Sequence, residues 1–250
     1  MFPGSGPVTA AVASGALDVG LTDLVQLGNA YNRGVPIGAI AGGGLYTPQD
    51  STTELCVGKS SAIRTAKDFE GQTIGVITLA SISAVALRAW LTQHGADAQK
   101  VKLVEMPFAE MAPAIARGAV AGAYLAEPVL SQVLPDLRII ASPYDAIAGH
   151  FLISVWFSNH DWIANNRDAA RRLVRAIGEA ARWANTHRDQ SLPMLVKYAK
   201  LDPDKTAGMR RARYDPSLDP SLLQPVLDIA AAYHMLEKPV PASAVVAAPS

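Results

Sequence analysis

Small hydroxyl side chains recur where apolar stretches give way to helical ones. Ser5 stands in Gly4-Ser5-Gly6 ahead of a helical run. Thr22 and Asp23 follow the apolar stretch 17–21, and Thr78-Leu79-Ala80-Ser81-Ile82-Ser83 follows the stretch 73–77. A helix start offers unpaired backbone N–H groups and a partial positive charge. It can therefore hold an anionic headgroup without an arginine. Side chains as small as Ser5, Thr22, Thr78, Ser81 and Ser83 let such a group approach and add hydroxyl donors. Each of them can equally serve as a plain helix cap, so the set carries more weight than any member. Glu127, ahead of Pro128, could accept from a ligand amine, close a contact between facing parts of the chain, or simply open a helix. Asp23 would repel an anion placed against it. Tyr46, after Gly44-Leu45, could stack on a flat ligand or wall an alkyl chain, and so could Trp156, for which core packing is the alternative.

These residues suit binding better than catalysis. The five histidines, at 94, 150, 160, 187 and 234, show no paired metal-ligand spacing. The single cysteine, Cys56, excludes an internal disulfide and a multi-cysteine metal site, and its apolar surroundings predict a buried, inert thiol. There is no Gly-x-Ser-x-Gly elbow, P-loop or dinucleotide fingerprint, and nothing calls for a cofactor.

The elements that must position the site alternate along the first two thirds of the chain. Helices are expected over 7–14, from Thr22 or Asp23 to Gly34, from Ser81 to His94, and over 108–117. Strands are expected over 17–21, 37–41, 55–57, 73–77, 101–105, 120–125, 139–141 and 151–157. Thr65-Ala66-Lys67-Asp68 reads as a capping box. This alternation argues α/β with largely parallel sheets. The last third reads as helices over 168–185, 191–200, 205–213 and 221–234, the first with Leu173, Val174, Ile177, Ala181 and Ala184 on one face. A Pro/Ala/Val-rich tail after Lys238 reads as loose.

The 250 residues include 22 Lys+Arg and 22 Asp+Glu, for a formal charge of zero. Neither a basic stripe for nucleic acid nor an apolar run of membrane-spanning length is present. The N-terminal residues do not form a signal peptide. Two units repeat a helix, a tight Gly turn and a strand, at Gly15-Ala16-Leu17-Asp18-Val19-Gly20 and at Gly118-Ala119-Val120-Ala121-Gly122-Ala123. They suggest two lobes on one plan, or only that any helix-to-strand turn favours Gly. If the lobes are alike, that pseudo-symmetry leads us to expect a further strand and helix, roughly 30–35 residues, ahead of Pro7.

The stretches Ser14-Gly-Ala-Leu-Asp-Val-Gly, Ile63-Arg-Thr-Ala-Lys-Asp-Phe-Glu-Gly-Gln-Thr-Ile-Gly-Val, Ala126-Glu-Pro-Val, Arg182-Trp-Ala-Asn-Thr-His and Arg213-Tyr-Asp-Pro-Ser-Leu-Asp-Pro give the chain its family likeness. In that order they resemble the nitrate/sulfonate/taurine branch of periplasmic solute-binding proteins of ABC importers. This NMT1/THI5-like branch also binds pyrimidine precursors of thiamine. The resemblance implies a two-lobed periplasmic-binding-protein (type II) fold with two hinge strands, here lacking the first strand and helix of lobe one. It divides the chain into lobe one, 1–55 plus 155–250, and lobe two, 56–154. Ala121 stands where the family often has an acidic residue.

The implied function is capture of a small anion in the inter-lobe cleft for an inner-membrane ABC permease. It implies a periplasmic location, a monomer if complete, no nucleic acid and no catalysis. Ligand contacts would come from Ser5, Thr22, Asp23, Tyr46, Thr78, Ser81, Ser83 and Glu127. The alternatives are a protein or enzyme acting on a thiamine pyrimidine precursor and the ligand-sensing domain of a regulator.

Overall fold

The computed structural model describes residues 4–199, 201–206 and 208–247. In chain order the elements are α1 (Ser5–Ala13), β1 (Val19–Thr22), α2 (Leu24–Asn32), β2 (Ile37–Gly42), β3 (Gly44–Tyr46), β4 (Thr53–Gly58), β5 (Thr73–Val76), α3 (Ile82–Gln93), β6 (Lys102–Glu105) and α4 (Phe108–Ala116). They continue with β7 (Gly122–Ala126), α5 (Val129–Val133), β8 (Leu137–Ala141), β9 (Phe151–Leu152), β10 (Val155–Asn159), α6 (His160–Asn165), α7 (Arg167–Thr186), α8 (Arg188–Ala199), β11 (Arg213–Tyr214) and α9 (Pro220–Ala232).

These strands form three sheets, ordered β1-β10-β2, β11-β3-β9 and β6-β5-β7-β4-β8. Only β5 pairs in parallel, with β6 and β7; every other strand pairing is antiparallel. In place of the expected largely parallel sheets, the five-stranded sheet is mixed and the two three-stranded sheets pair antiparallel. The cause is the chain's return: β4 and β8 add antiparallel beside β7, and β10 comes back between β1 and β2.

The direction of the strands fixes what lies along one edge of the five-stranded sheet. Because β4 runs against β7 and β8 runs against β4, the ends of β6, β5, β7 and β8 and the start of β4 share that edge. Along it stand Glu105, the loop 78–81, Glu127, Glu54 and Ser142, in the order of their strands.

Successive residues of β7 alternate between faces. Tyr124 joins the main core with Leu55, Phe69, Ile74 and Val76. Ala123 and Leu125 join a smaller core behind the sheet with Cys56, Met111 and Leu137. Cys56 is fully buried, and burial pushes its thiol up to about 12. In α3 the residues Val85, Leu87 and Leu91 are fully buried. Each contributes about 1.5–3 kcal/mol relative to exposure.

Three expectations are corrected. The run 151–157 is two strands on two sheets rather than one. Gly44 O accepts from Ile153 N (2.7 Å), and Gly43 N donates to Ser154 O (3.0 Å), so the two glycines hold the break. Among its described residues the segment 205–213 is not a helix: Pro203–Lys205 is a single 3-10 turn, and Arg213–Tyr214 pairs with β3. A side chain at Gly42 would run into the backbone of Asp215 and Ser217, which shows how tightly this segment lies against the glycines. The tail after Lys238 is packed as far as Ala247, with 248–250 outside the described residues. Val240, Ala242 and Val245 are buried, and Ala247 N donates to Ala39 O (2.8 Å), which covers part of the edge of β2 that no strand pairs.

Candidate ligand-binding site

One short strand delivers the first part of the site. β1 ends at Thr22, and Asp23 then caps α2, its Oδ1 accepting from Val25 N (3.0 Å) and Gln26 N (3.1 Å). The first turn of α2 is held by Leu24, Val25 and Leu27, all fully buried. Ser5, the first residue of α1, donates its hydroxyl to Asp23 Oδ2 (2.8 Å), so the two helix starts meet. Thr9 Oγ1 donates to Ser5 O (2.8 Å), which leaves the Thr22 hydroxyl to donate to Thr9 Oγ1 (3.0 Å). Asp23 is 6% exposed. Burial drives its carboxyl above the usual range, against the opposing pull of its hydrogen bonds from Ser5, Gln26 and Val25.

Facing it is the loop after β5. Ser81 caps α3, accepting from Ala84 N (3.3 Å) and donating to Thr78 O (2.8 Å). Thr78 Oγ1 (2.8 Å) and Leu79 N (2.6 Å) both donate to Glu105, and these two bonds hold its carboxyl below the ordinary range. Ser83, one step into α3, lies 3.3 Å from the hydroxyl of Tyr144. The N–H groups of Ile82 and Ser83 have no acceptor within the helix, as at any helix start. Gln26 Nε2 donates to Ala80 O, which sets the first turn of α2 against this loop. The negative charge of Asp23 is felt at the Tyr144 hydroxyl, whose ionisation is pushed up mainly by burial. Ser5, Thr22, Asp23, Ser81 and Ser83 thus belong to one constellation at the starts of α1, α2 and α3. Thr78 belongs to its supporting loop.

Two of the expected contact residues sit elsewhere. Tyr46 is fully buried. Its hydroxyl donates to Asp145 (2.6 Å), its ring stacks on Phe151 at 5.0 Å, and it meets Tyr144 edge-on at 5.4 Å. It joins the second sheet to the turn after β8. Glu127, half-buried and followed by a cis bond to Pro128, accepts from Ser131 Oγ (2.6 Å) and Ser131 N (3.1 Å). It also accepts from Arg210 N (3.1 Å).

Sequence reasoning passed over Gln26, Glu54, Ser142, Tyr144, Asp145 and Arg210. Gln26 had a signal, since it is the one polar residue in an otherwise apolar first turn. Glu54 had another, a carboxylate inside a β-strand. It is 2% exposed, and burial raises its pKa although Ser142, Arg210 and Ser51 all pull the other way. Among the described residues no cluster of His, Cys, Asp and Glu could hold a metal. No helix among them is long and apolar enough to cross a membrane. A surface groove of about 850 Å3 beside Lys59, Pro113 and Leu137 opens at the opposite edge of the five-stranded sheet and is separate from this constellation.

This fold is shared with solved periplasmic binding proteins. The chain can be superposed over its full length on the aliphatic sulphonate binding protein SsuA of Escherichia coli, covering 81% of that protein at 20% identity and a TM-score of 0.79. SsuA of Xanthomonas axonopodis pv. citri, bound to MOPS, matches with a TM-score of 0.80 and 19% identity over 99% of this chain and 86% of that one. The desulfurization enzyme DSZB also matches, with a TM-score of 0.70 and 17% identity over 93% of this chain and 84% of that one.

Residues 2–191 match the NMT1/THI5 like family model, and the chain belongs to that family. A protein of Brucella abortus (strain 2308) that carries a binding-protein designation is 22% identical over 178 residues, 66% of this chain. The match spans 56% of the length of that relative.

Proposed function

We propose that the chain is the solute-binding component of an ABC importer and captures a small organic anion between two lobes. Its fold and its family, whose relatives are binding proteins, support this reading. The observation that carries it is the meeting of three helix starts: Ser5 on Asp23 joins α1 to α2, and Gln26 on Ala80 joins α2 to the loop that opens α3. Helix starts concentrate partial positive charge and N–H donors. The lobes divide where the sheets do. One lobe carries the first two sheets, and the other is built on β4 to β8, so the crossings fall at 51–53 and at 142–151.

Ligand contacting both sides favours the closed form, which an inner-membrane permease then reads from the periplasm. The anionic end docks at the start of α3, on Ser83 and the free N–H groups beside it. Asp23 already fills the start of α2. The protein carries out no chemistry in this reading. Its one cysteine is buried in the core behind the five-stranded sheet and provides no nucleophile at the cleft.

Asp23 itself favours a second ligand class. A buried carboxyl at the mouth of α2 is an acceptor for a ligand amine, as an aminopyrimidine or an aminosulfonate such as taurine would supply. A thermal-shift screen with alkanesulfonates, taurine, nitrate, aromatic carboxylates and pyrimidines separates the classes. Ligand at 100 times its Kd stabilises the native state by about 2.7 kcal/mol. A Tm rise confined to anions, and lost in Ser83→Ala, supports the first reading. A clean cooperative melt with no rise for any compound counts against both.

A further inference from the structure

The segment between α8 and α9 is tied to the far lobe at several points. Arg210 Nη1 donates to Glu54 Oε1 and to Ser51 O (3.2 Å), and Arg210 N donates to Glu127 Oε1 (3.1 Å). Next to these bonds, Arg188 pairs with Asp50 (2.9 Å), and Arg213 reaches the same carboxylate at 3.9 Å. Three arginines from one lobe thus engage the segment that crosses to the other. Two of the carboxylates, Glu54 in β4 and Glu127 just past the end of the neighbouring β7, stand along the edge that faces the cleft. Glu54 is almost fully buried, so the Arg210 guanidinium and the Ser142 hydroxyl are its compensation. Among these contacts Glu127 is distinct. It follows β7, one strand further into the far lobe than β4, which leaves the crossing at 51–53, and it accepts from the backbone of the segment rather than from a side chain.

We infer that Glu127 and Arg210 form a clasp that sets how far the lobes open, and that Glu127 is a positioning residue for closure and makes no contact with the ligand. The inference rests on the two-lobe reading above. A clasp of this kind holds the end of β7 and the start of β4 against the 209–213 segment. The loop 78–81 next to it on the same edge is left to move with the contact from Gln26 to Ala80. Opening then pivots about Arg210 and widens at Gln26.

Interspin distances in the unliganded full chain test this. Tyr31, on α2, and Lys102, on β6, are exposed and on opposite lobes, and the native Cys56 is fully buried. Spin labels on Tyr31→Cys and Lys102→Cys therefore report the separation of the lobes. In Glu127→Ala the distance distribution should become longer and broader, with a melting transition that remains single and cooperative. Glu127→Gln should keep the wild-type distribution, because its side-chain carbonyl still accepts from Arg210 N. An unchanged distribution in Glu127→Ala would overturn the clasp, as would equal lengthening in the Ala and Gln variants. The outcome is independent of the thermal-shift screen. A ligand hit with no distance change removes the clasp alone, and a distance change with no hit removes the ligand reading alone.

Discussion

The starts of α2 and α3 occupy equivalent places, each opening a helix at the end of a strand and each capped by a side-chain oxygen. Their caps differ in charge and in setting. Asp23 is a carboxyl, 6% exposed, with three hydrogen bonds and a raised pKa. Ser81 is neutral, 3% exposed, and has the unengaged start of α3 beside it. One helix start is already occupied by its own cap, and the other is left open to an acceptor from outside. On the proposed reading, a clamp whose halves differ in this way would orient an asymmetric ligand, whereas two Ser-capped starts would hold an anion equally well in either direction.

The largest effect expected is on the cores beneath the two helices. Leu27→Ala under α2 and Leu87→Ala under α3 each remove a fully buried side chain and should cost about 2–5 kcal/mol in urea unfolding. Losing the cooperative transition in one variant only would show that the two helices do not share one folding unit. Next come the caps. Asp23→Ala removes the acceptor for two backbone N–H groups and for Ser5, and should cost about 1–2 kcal/mol. Ser81→Ala, with one N–H to lose, should cost about 1 kcal/mol or less. Equal costs would erase the difference between the two helix starts.

Asp23→Asn keeps an acceptor for Val25 and Gln26 while removing the charge, so its effect depends on pH. A carboxyl whose folded pKa is raised binds more protons folded than unfolded. Its contribution is therefore fully present below the ordinary Asp range and declines as pH rises toward the folded value. The wild-type Tm should fall relative to that of Asp23→Asn between pH 4 and 7. A constant difference across that range would mean that Asp23 is ionised with an unshifted pKa. Ser83→Ala is the smallest change, within about 0.5 kcal/mol of wild-type stability. It sharpens the comparison only through a weakened ligand-induced shift.

Much of the frame was legible because local rules decide it. The capping box is formed as read, with Asp68 accepting from Thr65 N (2.8 Å). The helix from Ser81 stops before Gly95, which takes a φ of 78°. The constellation of Ser5, Thr22, Asp23, Ser81 and Ser83 was legible because helix starts announce themselves through Ser, Thr and Asp. What stayed hidden depends on distant partners. No local pattern tells that Arg210 reaches Glu54, 156 positions away, or that Tyr46 turns its hydroxyl to Asp145 instead of a cleft. The 151–157 run was misread because its break is imposed by Gly43 and Gly44, more than a hundred residues earlier.

Cys56 sits in β4, the strand that pairs with both β7 and β8, and no other cysteine exists in the chain. Its thiol is sealed in the small core and held up near 12, so an alkylating reagent can reach it only when that sheet comes apart. The residue is therefore a built-in clock: its rate of modification under native conditions counts openings of the five-stranded sheet. A saturating ligand that bridges the lobes should slow that clock without touching the cysteine.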